Sequence, residues 1–117
     1  DFANLNIDRP ASFKGFVFPL KFEVTKSHWT HSSIFHSATF AQGADFKSAT
    51  FDERANFEAA NFKVRADFDS ALFDKGGDFQ HAKFFVAVFN YSKFSMWTNF
   101  QLAYFEDNAY FKNTIFA

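Results

Sequence analysis

The chain has 117 residues, no cysteine, and 12 basic against 13 acidic side chains, for a formal charge of −1. Those numbers exclude disulfides and thiolate metal sites, and they supply neither the basic face of a nucleic-acid binder nor a strongly acidic field. No apolar run of about 18 residues occurs, so no segment reads as a membrane-spanning helix.

Taken in chain order, apolar residues stand at Phe2, Ile7, Phe13, Phe18, Val24, Trp29, Phe35 and Phe40, alternately 5 and 6 residues apart. The series continues through Phe46, Phe51, Phe57, Phe62, Phe68, Phe73, Phe79 and Phe84 with the same alternation, a period of 11. One residue is missing between Phe84 and Phe89, and the rule resumes at Phe94, Phe100, Phe105, Phe111 and Phe116. Of these 22 centres, 19 are Phe. Leucine, the usual core filler, occurs only at Leu5, Leu20, Leu72 and Leu102. An ordinary core fills irregular space with mixed shapes, so one ring used repeatedly implies a repeated environment.

A second column supports the first. From Ser27 onwards the residue two before each centre is small: Ser33, Ala38, Ala44, Ala49, Ala55, Ala60 and so on to Thr114. Positions i and i−2 point the same way in an extended segment, so a ring and a small side chain share each inner wall. The residue between them points out. A β-sandwich with variable turns does not keep such a rule through a whole chain, and a helix would scatter the rings around its circumference. The chain therefore reads as one solenoid over 1–117. Residues 1–30 are atypical N-terminal coils, where Phe16 and Phe22 take positions that are small elsewhere. Residues 31–117 are regular coils apart from the deletion near 85–89.

Ala44-Asp45-Phe46, Ala55-Asn56-Phe57, Ala66-Asp67-Phe68 and Gly77-Asp78-Phe79 resemble the A(D/N)LXX unit of the pentapeptide-repeat family. The 5/6 alternation resembles its Phe-centred branch. The resemblance extends over essentially the whole chain and implies an all-β, right-handed quadrilateral β-helix of about 5.5 coils of 22 residues. The sixth residue of every second unit departs from the family pattern and is expected as a corner bulge. A flattened coil of 11 residues with two sides obeys the same rule and is the alternative. The C-terminus stops at Thr114-Ile115-Phe116-Ala117 in mid-pattern. That end is expected to meet another copy end to end, or to continue in the native chain.

Four constellations could carry chemistry. Asp1, Glu23, Asp45 and Asp67 share the outward position before the centres of one column, an acidic ladder for cations or a basic partner. Against this, Asp or Asn before a centre commonly bonds to its own turn, and Lys21 and Arg65 stand close by. His28, His31 and His36 are near one another in sequence, but a metal site needs convergent geometry, so they read as surface residues. Serines and histidines are present without a sign of triad geometry, so neither catalysis nor a cofactor is expected. Phe85, Tyr91, Trp97, Tyr104 and Tyr110 lie off the centres in the C-terminal third, and exposed aromatics favour interfaces. These five are the expected partner surface. The functional expectation is a non-catalytic structural or protein-interaction module, with an unidentified protein partner and no nucleic acid. The alternative implied by the resemblance is a DNA mimic acting on a type II topoisomerase, which would require extended negative potential.

Overall fold

The structure is a computed structural model that describes residues 3–117. Centre Phe2 and ladder residue Asp1 lie outside the described residues. Short parallel strands, most of two residues, stack into a solenoid. Each strand pairs with those about 22 positions away: Asn6–Ile7 with His28–Trp29, then Thr50–Phe51, Leu72–Phe73, Lys93–Phe94 and Ile115–Phe116. This register fixes four sides to a coil and rules out the two-sided coil of 11 residues, which would pair Trp29 with Phe40 rather than with Phe51.

Side one holds Val24, Phe46, Phe68, Phe89 and Phe111; side two is the column just given. Side three holds Phe13, Phe35, Phe57, Phe79 and Phe100. Side four holds Phe18, Phe40, Phe62, Phe84 and Phe105. Within a column the rings are nearly parallel: Phe35–Phe57–Phe79 are 4.9 and 5.2 Å apart at 4° and 1°, and Phe46–Phe68–Phe89 are 5.0 Å apart at 0° and 1°. Between columns they meet edge to face, as Phe46 does with Phe57 at 85°, or tilted, as Phe46 does with Phe51 at 45°. Stacked and edge-to-face arrangements both suit the aromatic quadrupole. The strand spacing in a sheet, about 4.8 Å, is also a good offset-stacking distance, so backbone pairing and ring stacking reinforce each other.

The small column lies inside as well. Ala38, Ala44, Ala49, Ala55, Ala60 and Ala66 are fully buried. Ala38, Ala49 and Ala60 also close corners: Ala49 N–H donates to the Phe46 carbonyl at 3.0 Å, and Ser48 between them takes φ 58°. The equivalent corner position carries positive φ at Lys26, Ser37, Ala59, Ser70 and His81. The sixth residue falls at the two other corners. On one of these, the paths Asn61–Asp67 and Lys83–Val88 stay in strand conformation around the bend and join sides four and one into a single sheet. There Phe62 pairs with Phe84, but Arg65 pairs with Val86, so Lys63 and Val64 together oppose Phe85 alone. The missing residue is thus absorbed at one corner. Pairs that span it are offset by 21, as in Ala66 with Ala87 and Phe84 with Phe105.

The N-terminal coil is packed differently. Val24 leaves room that Phe22 fills from the small-residue position, 4.5 Å from Phe18 and 5.6 Å from Phe46 between ring centres. Trp29 stacks 6.0 Å from Phe51, and its indole N–H donates to Ser27 Oγ at 2.8 Å, which satisfies both buried polar groups. An apolar cavity of about 270 Å³ between Leu5, Ile7, Phe13, Phe22 and Trp29 remains in this coil.

Candidate interaction surface

With the inner positions occupied by rings and small residues, chemistry is confined to the outward positions and the corners. On side one, Glu23, Asp45 and Asp67 stack in register as the ladder requires. Each carboxylate is occupied. Asp45 Oδ1 accepts the Lys47 backbone N–H and Asp67 Oδ1 that of Asp69, both at 3.0 Å. Asn56, Asp78 and Asn99 make the same bond on side three, so the motif belongs to the coil rather than to a binding site. Lys47 lies 3.9 Å from both Asp45 and Asp67, Arg65 3.5 Å from Asp67, and Lys21 3.8 Å from Glu23. The column then continues as Val88 and Tyr110, so negative potential does not extend along the side.

The three clustered histidines separate. His28 Nε2 is 2.9 Å from Asp52, His36 Nδ1 is 3.1 Å from Glu58, and His31 Nδ1 is 2.9 Å from Thr30 Oγ1. Among the described residues no group of three His, Cys, Asp or Glu side chains could hold a metal ion.

The five aromatics are all exposed, from Phe85 at 41% to Trp97 at 70%, but they are distributed around the coil. Phe85 and Tyr104 are together on side four, at the rim of one recess. Tyr110 continues the side-one column beyond Val88. Tyr91 is at the corner between sides one and two, where the Lys112 ammonium stands 5.9 Å from its ring centre. Trp97 is at the corner between sides two and three, 5.2 Å from the Arg54 guanidinium.

A family model described as pentapeptide repeats (9 copies) matches residues 25–72. Over those residues the solenoid is built of pentapeptide repeats. Outside the matched residues the same columns continue through Phe94 on Phe116 and Phe89 on Phe111, 5.1 and 5.2 Å apart. No curated protein and no solved structure matches the chain.

Within this pentapeptide-repeat array, the residue that sequence reasoning missed is Arg54. Its guanidinium donates to the carbonyls of Lys75, Gly77 and Trp97 and so ties three successive coils at one corner. The turn it crosses needs Gly76, which has φ 75°, and whose added Cβ would collide with the Trp97 carbonyl oxygen. No local pattern around Arg54 signals this, because its partners are up to 43 residues away.

Proposed function

We propose that this solenoid is a non-catalytic structural and protein-interaction module that presents its flat sides to a protein partner or to another copy. The observation that carries the reading is large apolar side chains left outside a core already filled by stacked rings. Trp97 is 70% exposed and Tyr104 55%, while the column centres from Phe35 to Phe94 are shut away from solvent. The rigid column spacing fixes the outward groups at constant separations, as a docking surface needs. The test is affinity capture with the wild-type chain and with a Trp97→Ser/Tyr104→Ser/Tyr110→Ser variant. Loss of specific partners in the variant supports the reading, and equal recovery rejects these aromatics as the partner surface.

A second copy is a further partner under this reading, and sedimentation of the chain as a monomer at all concentrations would remove self-association. The DNA-mimic alternative draws no support from side one, where three stacked carboxylates are each neutralised by a neighbouring cation.

A further inference from the structure

We infer that the recess on side four, bounded by Lys63, Lys83, Phe85 and Tyr104, takes an acidic peptide segment carrying an apolar side chain. This rests on the protein-interaction reading above and names the chemistry of the partner. The recess has a volume of about 380 Å³ and is also lined by Asn61 and Glu106. Asn61, Lys83 and Tyr104 stack in register in one outward column. Lys63, Phe85 and Glu106 are their neighbours one residue past the centres. Lys63 is therefore diagonal to Lys83, and Phe85 is diagonal to Tyr104.

Three observations point to this ligand. First, Lys63 and Lys83 line one recess and are in none of the ion pairs among the described residues. Two ammonium groups at one recess outnumber its single carboxylate, Glu106, and favour an anionic partner. Second, Phe85 and Tyr104 are 41% and 55% exposed beside them, so the site offers apolar contact as well as charge. An inorganic anion would leave those rings unused. Third, the recess lies at the one place where the repeat slips, with the two-residue bulge Lys63–Val64 opposite Phe85. Bulges re-aim side chains and are over-represented beside functional sites. Glu106 at the far rim and the chain's formal charge of −1 disfavour an extended polyanion such as single-stranded nucleic acid.

The experiment is fluorescence anisotropy with a short labelled peptide of alternating Glu and Ser around one central Phe. The comparison probes are the same peptide with Lys for Glu, the same with Ser for Phe, and an oligothymidylate. The proteins are wild type, K63E/K83E, the milder K63Q/K83Q, F85S, and K93E as a control at an unpaired lysine outside the recess. All four positions are exposed, and circular dichroism with thermal melting establishes that each variant is folded. Saturable binding of the acidic Phe peptide is expected, weakened about tenfold or more by K63E/K83E, less by K63Q/K83Q, and unaffected by K93E. Loss of the central Phe, or F85S, should also weaken it, and added salt should weaken it through screening. No binding of the acidic peptide, equal binding of the Lys peptide or the oligothymidylate, or an equal loss with K93E would each overturn the inference. If the peptide fails while capture through Trp97 and Tyr110 persists, only this inference falls. If both fail, the interaction reading falls with it.

Discussion

The central coils and the N-terminal coil solve one packing problem in two ways. From Phe35 to Phe94 every inner centre is a Phe and every centre ring is buried, and from Phe57 to Phe94 each stacks on a Phe above and below. In the N-terminal coil the column on side one begins, among the described residues, at Val24, and the missing volume is restored by Phe22 from a neighbouring position. Phe13 and Phe22 are only half-buried, Phe16 is 50% exposed, and an apolar cavity remains. Repetition gives each ring two equivalent partners. Where it lapses, the fold is held by volume compensation between unlike residues, and the interior closes less completely. A repeat array is stable through nearest-neighbour contacts, so the two regions should differ in stability as they differ in packing.

The largest effect tests that difference directly. Phe57 stacks on Phe35 and Phe79 and meets Phe46, Phe51 and Phe68 edge to face, so Phe57→Ala should cost about 3–5 kcal/mol in denaturant unfolding. Phe13→Ala should cost about half that, since its ring is half solvated already; equal losses would erase the contrast. Next come two glycines with positive φ. Gly76→Ala sets a methyl against backbone carbonyl oxygens and should cost about 3 kcal/mol, whereas Gly15→Ala meets nothing within 4 Å and should cost about 1 kcal/mol, the conformational penalty alone. The compensation in the N-terminal coil predicts a non-additive cycle. Val24→Phe alone overpacks and should cost about 2 kcal/mol, while Val24→Phe with Phe22→Ala rebuilds the regular column and should stay within about 1.5 kcal/mol of wild type. Additive penalties in thermal melts would show that the two side chains do not share one space. The smallest effect belongs to the surface. Lys75→Ala removes an exposed pair with Glu53 at 3.0 Å and should cost less than about 1 kcal/mol, fading in salt.

The columns follow from residue order alone. The 5/6 spacing, the small residue two before each ring, the slip between Phe84 and Phe89 and the exchange between Phe22 and Val24 are all legible in order along the chain. The reason is physical: an inner position has one allowed size, so its periodicity survives in the residue types. Four sides rather than two was open until the register paired Trp29 with Phe51, because both coils obey the same spacing rule. The outward groups carry no such constraint, and only the tertiary structure decided their neighbours. Phe85, Tyr91, Trp97, Tyr104 and Tyr110 read as one patch along the chain, yet in the coil they are divided among two sides and two corners. Arg54 reaches the Trp97 carbonyl, and Lys63 comes to line the same recess as Lys83, Phe85 and Tyr104. Those meetings depend on which corner takes the extra residue, on the one-residue slip, and on the reach of long side chains. None of these leaves a period in the sequence.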